Sequence, residues 1–214
     1  MAIDWPAFVL ASLTISVIPG ANQLLGLRNA YRRGPRAALL AVGGRLAAFA
    51  VMIVLVSAGL GTLLLQSERL FTAIKWTGVV YLLYLGVRIL RSSRRVAPGA
   101  ADDAMTGADS RAPGVWALSR EEFVVAGTNP KAVVLFAALL PQFVSGPGPL
   151  TAGLLTVGVA YLAVEFAVAI GYTVVGAQLR RASVSARVDR VIQRATGVCL
   201  IGFAAYFATG RQPA

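Results

Sequence analysis

The sequence predicts an all-α polytopic membrane protein of six transmembrane helices, arranged as two inverted three-helix repeats in which helices one and four are broken. Composition is the first observation. The 214 residues are 57% hydrophobic and 14% charged, with a mean hydropathy of +0.71, whereas soluble domains are about 45–50% apolar and about 25% charged. The second observation is a succession of six apolar runs, each of at least about 20 residues and therefore long enough to cross a hydrocarbon core of about 30 Å.

The apolar runs place the spans at residues 5–27, 37–65, 70–90, 123–144, 150–178 and 188–208. Residues 91–119, between the third and fourth spans, are polar and rich in Pro, Gly and Asp, which predicts a flexible cytoplasmic loop with a short interfacial turn at Trp116. The expected organisation is one membrane domain, with a first repeat at 1–95, the loop at 96–119 and a second repeat at 120–210.

Basic residues between the spans predict the orientation of the chain. On one side, residues 28–36, 88–120 and 180–194 carry fifteen arginines, whereas the opposite side carries three basic residues. Because cytoplasmic loops are enriched in Lys and Arg, the first side is predicted to be cytoplasmic and both termini to lie outside the cytoplasm. The net charge of +11 is therefore assigned to contacts with lipid headgroups, and no nucleic-acid partner is expected.

Two spans are interrupted by residues that break helices. Pro19 and Gly20 lie in span one, and Asn129, Pro130 and Lys131 lie in span four. Proline lacks the N–H that a helix uses and clashes with the carbonyl one turn back, so both helices are expected to kink or open. Irregular backbone at membrane depth is tolerated only where protein buries it or a water-filled cavity bathes it. Matching breaks therefore predict a ligand site and an inverted repeat, since three spans per half turn the second copy upside down.

Three ionisable side chains are predicted to lie inside the bilayer: Arg45, Lys131 and Glu165. They lie about 12, 16 and 22 Å from the ends of their spans. Because each costs about 2.5–3.5 kcal/mol in hydrocarbon, all three are expected to face the interior. Glu165 is the only carboxylate that the sequence places deep in a span, since Glu121 and Glu122 precede span four. The trio carries one excess positive charge, which favours a zwitterionic ligand such as an amino acid.

The candidate substrate-binding residues are those at the breaks and the two intramembrane cations: Pro19, Gly20, Asn22, Gln23, Arg45, Asn129, Pro130 and Lys131. Helix N–H groups freed at the first break could bind a carboxylate, with Arg45 or Lys131 beside it. Glu165 is the candidate proton-coupling residue, and it could also receive an ammonium group.

Other roles for these residues remain open at this point. Arg45 and Glu165 could form a structural ion pair, Lys131 could reach the interface, and the amides at the breaks could bond neighbouring helices. An ion channel or pore would need a ring of repeated polar groups, and this chain supplies single ones. A membrane scaffold without transport is a further alternative.

Enzyme and metal chemistry are not expected. The chain has no His, and Cys199 is its single cysteine. These counts remove the commonest general base, the commonest metal ligands and an internal disulfide. An intramembrane enzyme would need a nucleophile with a base, which the sequence does not supply. Neither a metal nor a cofactor is therefore expected.

Four short motifs carry a resemblance to a known family: Pro19-Gly20-Ala21-Asn22, Arg33-Gly34, Asn129-Pro130-Lys131 and Leu140-Pro141-Gln142-Phe143. They resemble the LysE-type amino-acid exporters, which include the homoserine/threonine exporters, and the likeness covers nearly the whole chain outside the 96–119 loop. The resemblance implies a small bacterial inner-membrane exporter driven by the proton motive force. Its partners would be a small-molecule substrate, protons and membrane lipids. A second copy of the chain, forming a homodimer, is a further candidate partner.

The chain departs from the family pattern at two positions. Ala21 stands where the family usually has the second proline of Pro-Gly-Pro, so the first break is expected to be looser. Arg45 stands in a region of the second span that is usually small and apolar in the family. An added guanidinium there favours neutral or more acidic cargo over strongly cationic amino acids.

Overall fold

A computed structural model of the protein describes residues 2–60, 67–94, 114–146, 148–182 and 186–209. These residues are mostly helical, which confirms the predicted all-α class. The end of the predicted second span and most of the predicted cytoplasmic loop lie outside the described residues.

The described residues of the first half form four helices: α1 (Trp5–Val17), α2 (Ala21–Arg33), α3 (Pro35–Leu55) and α4 (Glu68–Arg94). A π-helical turn, Val56–Leu60, continues α3. Within this turn Gly59 has a φ of 88°, a left-handed conformation that glycine adopts without strain. Helices α1 and α2 together correspond to predicted span one.

The described residues of the second half form four more helices: α5 (Val115–Gly127), α6 (Pro130–Val134), α7 (Leu150–Arg181) and α8 (Ala186–Thr209). A π-helical turn (Leu135–Leu139) and a 3₁₀ turn (Leu140–Phe143) extend α6. Together with α5 they correspond to predicted span four.

Both predicted breaks are present, and each bends its span by 59°. At the first break, Gly20 is extended, with φ −133° and ψ −175°, and α2 begins at the next residue. At the second break, Asn129 caps α6, because its Oδ1 accepts a hydrogen bond from Lys131 N at 3.0 Å. Pro130 occupies the first turn of α6, where its missing N–H is not needed.

Two predicted boundaries are wrong, because helices extend beyond the apolar runs. α2 continues to Arg33 where the sequence predicts a basic loop, and Gly34, with a φ of 88°, turns the chain directly into α3. α5 begins at Val115, so Trp116 and Glu122 are helical, and the helix starts five residues before the predicted second repeat. Hydropathy marks the hydrocarbon region, whereas a helix can continue into the headgroup region with its backbone still paired.

Length and composition support five membrane spans among the described residues. Three helices can each cross a membrane, and each of the two bent pairs can form one further span. The predicted third span is α4, a helix of 27 residues that is not among these five. Charged residues such as Lys75 and Arg88 lower its hydropathy. The polytopic class is therefore confirmed, and the sixth span stays a prediction.

Helix packing relates the two halves of the chain. α3 packs against α5 and α7, α2 packs against α7, and α4 packs along α8. If each span is replaced by its counterpart in the other half, the contact between spans two and four becomes the contact between spans five and one. The contacts of span two with span five, and of span three with span six, are unchanged by the exchange. This pattern is what an inverted repeat would produce, and it supports that prediction.

Two apolar clusters form the core of the described part of the chain. One gathers Phe8, Phe49 and Phe136 beside both breaks, and the other gathers Leu85 and Leu200 between α4 and α8. Beside the first cluster, a two-residue strand β1 (Ala2–Ile3) pairs antiparallel with β2 (Val144–Ser145). The breaks therefore lie against a packed core.

Candidate functional site

The last carbonyl groups of α1, at the first break, are bound by side chains from elsewhere in the fold. A helix end leaves these carbonyls without partners inside the helix. Three side chains donate to them: Lys131 Nζ to Ile15 O at 3.0 Å, Gln23 Nε2 to Ser16 O at 3.0 Å and Tyr172 Oη to Val17 O at 2.9 Å. The ammonium is also favoured here because the C-terminal end of a helix carries partial negative charge.

The other side of this break is the start of α2, whose first N–H groups have no partner inside the helix. Asn22 lies in this first turn and is 3% exposed. Its Oδ1 accepts a hydrogen bond from Asn129 Nδ2 at 3.1 Å, which connects the two breaks. Its Nδ2 is buried without a hydrogen-bond partner in the described part of the chain. An unpaired buried donor of this kind costs about 1–3 kcal/mol.

Glu165 is buried at the middle of α7, with 1% of it exposed. Its Oε1 accepts hydrogen bonds from Gln23 Nε2 at 3.3 Å and from Arg45 Nη1 at 3.1 Å. Its Oε2 accepts from Tyr161 Oη at 3.4 Å, and Ser16 Oγ in turn donates to Tyr161 Oη at 3.3 Å. The carboxylate is thereby connected to both halves of the protein.

Arg45 binds two carboxylates that come from different helices. Its Nε and Nη2 donate to Glu122 Oε2 at 3.0 and 2.7 Å, and its Nη1 donates to Glu165 Oε1 at 3.1 Å. Nη2 also donates to the backbone carbonyl of Asn22. Glu122 is fully buried, and its Oε1 accepts a hydrogen bond from Asn29 Nδ2 at 3.3 Å. The predicted Arg45–Glu165 pair is therefore part of a larger buried network.

Glu122 corrects two sequence-based expectations. Glu165 is not the only deeply buried carboxylate, and Arg45, Lys131, Glu122 and Glu165 together carry no positive excess when all four are ionised. Glu122 is buried because α5 begins before the apolar run and packs against α3. Helical spacing carries a signal that could have located Glu122, since it lies seven residues, or two turns, before Asn129.

The two breaks and Glu165 border a cavity of about 20 Å³. The lining residues are Ile15, Ser16, Asn22, Gln23, Phe49, Asn129, Lys131, Ala132, Leu135, Tyr161 and Glu165. This volume is room for about one water molecule, whereas sites for small molecules enclose about 300–1,000 Å³. The cavity in this structure is therefore too small for an amino acid, and we call this arrangement contracted.

Comparison with known proteins identifies the family. The profile of the LysE type translocator family matches residues 13–211. The chain belongs to this family. The assignment makes it a transporter, which confirms the expectation that it is not an enzyme.

Several relatives of this translocator match over most of its length. It is 30% identical to the homoserine/homoserine lactone efflux protein of Salmonella typhimurium over 207 residues, which cover 97% of each chain. It is equally similar, over the same shares, to an uncharacterized membrane protein of Vibrio cholerae. It is 28% identical to the leucine efflux protein of Salmonella choleraesuis over 149 residues, 70% of this chain and 67% of the relative. No solved structure matches the chain.

Five of the predicted site residues line the cavity of this translocator: Asn22, Gln23, Asn129, Lys131 and Glu165. Pro19 and Gly20 separate α1 from α2, and Pro130 begins α6. Arg45 lies behind the cavity wall, and its Nε, Nη1 and Nη2 donors are all engaged by protein groups. Direct contact of Arg45 with a substrate stays a prediction.

Two polar residues that line the cavity are not identified by the sequence reasoning. Tyr161 precedes Glu165 by four residues, so the helical repeat that places them on one face is a usable signal. Ser16 offers no comparable signal, because its apolar run contains other hydroxyl residues such as Ser12 and Thr14.

A second cavity of the translocator, apolar and about 340 Å³ in volume, lies between α3 and α5 beside the break of span four. Two aromatic rings separate it from the polar cavity. Phe49 lines the polar cavity and Phe136 the apolar one, and their ring centroids are 5.2 Å apart.

Proposed function

We propose that this translocator is a secondary active exporter of amino acids or closely related small zwitterions, which bind near the bilayer midplane between the two broken helices. One observation carries the proposal. The start of α2, the carbonyl end of α1, Lys131 and Glu165 all border one cavity. Positive and negative walls suit a molecule that carries both a carboxylate and an ammonium group. Relatives named for homoserine and leucine efflux support this class of cargo.

In this proposal, the carboxylate of the cargo binds at the start of α2. The free N–H groups of that helix end and Asn22 Nδ2 are the donors. Asn129 and Lys131 border the same cavity and add an amide and a positive charge. Charge-assisted hydrogen bonds are roughly twice as strong as neutral ones, so this wall favours a carboxylate over an uncharged group.

The ammonium group of the cargo binds between Glu165 and the carbonyl end of α1. In the contracted state, the ammonium of Lys131 donates to Ile15 O at 3.0 Å, so this carbonyl is already oriented towards an ammonium donor. Within the described residues, Glu165 Oε1 and Oε2 accept from the neutral side chains of Gln23 and Tyr161 and from Arg45. An incoming ammonium that takes the place of the Lys131 ammonium at Ile15 O would therefore find an acceptor on each side.

Export requires the cavity to open to the two sides of the membrane in turn. A rocking movement of one half against the other would expand the contracted cavity, and the breaks with their 59° bends are the points where the spans can flex. Cargo enters from the cytoplasm, and a proton carried by Glu165 moves the opposite way. The protein then acts in the bacterial inner membrane, with both termini outside the cytoplasm.

The test is uptake of amino acids into inverted membrane vesicles that contain the protein, together with efflux from loaded cells. A carrier gives saturable, stereoselective uptake that unlabelled cargo inhibits, whereas a channel gives flux that does not saturate. Asn22→Asp places a negative charge at the wall assigned to the carboxylate. We expect transport by this variant to fall about tenfold or more, because like charges brought together cost several kcal/mol.

Gln178→Glu is the matched control for this test. It makes the same amide-to-acid change at an exposed position near the predicted cytoplasmic end of α7. Transport should stay within about twofold of wild type at equal membrane abundance. Wild-type transport by Asn22→Asp would refute the carboxylate site, and flux that does not saturate in the wild type would refute a carrier.

A further inference from the structure

A buried arginine links the cargo cavity to a second acid that the proposed function does not use. Arg45 donates to Glu165 at 3.1 Å and to Glu122 at 3.0 and 2.7 Å. Glu165 borders the cavity, whereas Glu122 lies on the far side of the guanidinium with no exposed surface. One guanidinium therefore bridges a carboxylate that faces the cavity and one that is enclosed by protein.

The two acids are predicted to lie at different depths in the bilayer. Glu165 is at the middle of the 32-residue helix α7, about 22 Å from Leu150. Glu122 is about 10 Å along α5 from Val115, the end that the basic residues assign to the cytoplasm. The bridge therefore runs from the midplane towards the cytoplasmic surface.

Charged groups from several elements surround this bridge. In the described part of the chain, the titratable groups that face Glu122 or Glu165 are Arg45 of α3, Glu121 of α5, Lys131 of α6 and Tyr161 and Tyr172 of α7. Those that face Glu121 include Arg28 of α2 and Tyr81 and Arg88 of α4. Arg88 is half exposed and lies 3.6 Å from Glu121, and Lys131 donates to Ile15 O. Among the described residues, Arg45 is the cation that contacts both Glu122 and Glu165 directly.

We infer that Glu122 is a second proton-accepting residue of the transport cycle, and that Arg45 pairs with whichever of Glu122 and Glu165 is ionised. One guanidinium neutralises one carboxylate, and a second buried carboxylate without a partner costs several kcal/mol. A proton shared by the two acids removes that cost. Arg45 itself keeps its protons, so it transfers hydrogen bonds between the acids and carries no proton. The inference rests on the proposed function, because it requires a proton-driven cycle.

The proton passes inward through the pair in three steps. After cargo leaves on the outer side, a hydronium ion protonates Glu165 and Arg45 pairs with the Glu122 carboxylate. In the state open to the cytoplasm, in which water reaches both acids, a cargo ammonium enters and Glu165 gives its proton to a water molecule, which in turn protonates Glu122. Glu165 becomes the carboxylate that binds the ammonium and Arg45. Glu122 then loses the proton to cytoplasmic water. One proton has moved inward for each cargo molecule, and Glu122 and Glu165 are again ionised.

The test compares two modes of transport by the purified protein in proteoliposomes. Counterflow exchanges labelled for unlabelled cargo without net proton movement, whereas driven uptake uses an imposed pH gradient. For Glu122→Gln we expect counterflow within about twofold of wild type, driven uptake lowered about tenfold or more, and a flattened pH profile of driven uptake. Glu121→Gln is the matched control, because it removes the adjacent acid of the same helix, which pairs with the half-exposed Arg88. It should keep both modes.

The possible outcomes separate the inference from the proposed function. Driven uptake at the wild-type level in Glu122→Gln overturns the inference. The inference is also overturned if Glu122→Gln loses both modes of transport and Glu122→Asp does not restore them. It is overturned as well if neither variant folds, because Glu122 then serves only to hold the structure together. If Glu122→Gln alone fails to fold, Glu122→Asp must displace the pH midpoint of driven uptake by at least about half a unit, and an unchanged midpoint overturns the inference. Absence of saturable counterflow in the wild type refutes the proposed function instead.

Discussion

At the scale of single residues, the break in span one depends on polar side chains that replace missing helix hydrogen bonds. Lys131 donates to Ile15 O and Gln23 donates to Ser16 O, and both donor side chains also line the polar cavity. A buried carbonyl without a partner costs about 1–3 kcal/mol, so these contacts stabilise the break. A cargo molecule that enters the cavity must therefore displace or join groups that already stabilise the fold.

Lys131 provides the sharpest test at this scale. Lys131→Met removes the positive charge beside the cavity and a charged hydrogen bond that is worth about 1.5–3 kcal/mol. We expect efflux from loaded cells, measured at equal membrane abundance, to fall about tenfold or more. Lys131→Arg keeps the positive charge and should retain part of the activity.

The other lysine of the chain provides the control. Lys75 is on α4, and its Nζ lies 5.6 Å from the ring centroid of Trp76, away from the cavity lining. Lys75→Met should leave efflux within about twofold of wild type. Equal losses in both methionine variants would mean that removing any lysine impairs the protein, and would contradict the assigned role of Lys131.

At the scale of helices, a glycine sets how closely α3 approaches α5. A Cβ atom at Gly44 would lie 1.9 Å from the backbone oxygen of Ser119, whereas a Cβ atom at Gly43 would meet nothing within 4 Å. Arg45 follows Gly44 directly, and Glu122 lies about one turn after Ser119. The close approach of the two backbones therefore brings the guanidinium to Glu122.

Gly44→Ala should separate α3 from α5 and weaken the ion pair beside the contact. Overpacking of this kind costs about 1–3 kcal/mol, so we expect a lower melting temperature in detergent together with reduced transport. Gly43→Ala is the matched control on the same helix, and it should leave the melting temperature unchanged or raise it, because alanine favours a helix over glycine by about 0.5–1 kcal/mol. Identical melting curves for the two variants would contradict the close contact.

At the scale of the whole molecule, the buried polar network joins the two halves of the chain. The first half contributes Asn22 and Arg45, and the second half contributes Glu122, Asn129 and Glu165. Any movement of one half against the other must rearrange these contacts. The network is therefore positioned to couple the state of the cavity to the arrangement of the halves.

One end of the molecule is joined by backbone pairing. Ala2–Ile3 pairs with Val144–Ser145, and Asp4 N donates to Phe143 O at 3.2 Å. The N-terminus and the end of span four therefore lie at the same end of the molecule, as the distribution of basic residues predicts.

Cysteine labelling tests this orientation. Cys199→Ser removes the single cysteine of the chain, after which Ser145→Cys or Arg36→Cys is introduced at a position that is exposed in the structure. We expect a membrane-impermeant maleimide to label Ser145→Cys in intact cells and Arg36→Cys only after permeabilisation, because basic residues favour the cytoplasmic side. The opposite pattern would reverse the orientation, and labelling of both variants in intact cells would place both positions on the outer side.

Local physical chemistry explains which features were predictable. The hydropathy and length of an apolar run depend only on the residues of that run, so the all-α membrane class follows from local sequence. The missing N–H of proline likewise locates the breaks at Pro19 and Pro130. Helix ends were less predictable, because α2 extends to Arg33 and α5 begins at Val115 outside the apolar runs. The sequence identifies Asn22, Asn129 and the three intramembrane charges as site residues, whereas it places Glu122 ahead of span four.

By itself, the sequence determined that this protein crosses a membrane as helices, that two of them are broken, and that charged residues are forced into its interior. Only the tertiary structure decided which groups meet. Arg45 contacts Glu122 because Gly44 lets α3 approach α5 closely, and Lys131 reaches Ile15 O because the two bent spans lie side by side. Local sequence specifies where a helix stops, but pairing across 77 or 116 residues depends on how helices pack, which no short stretch of sequence contains.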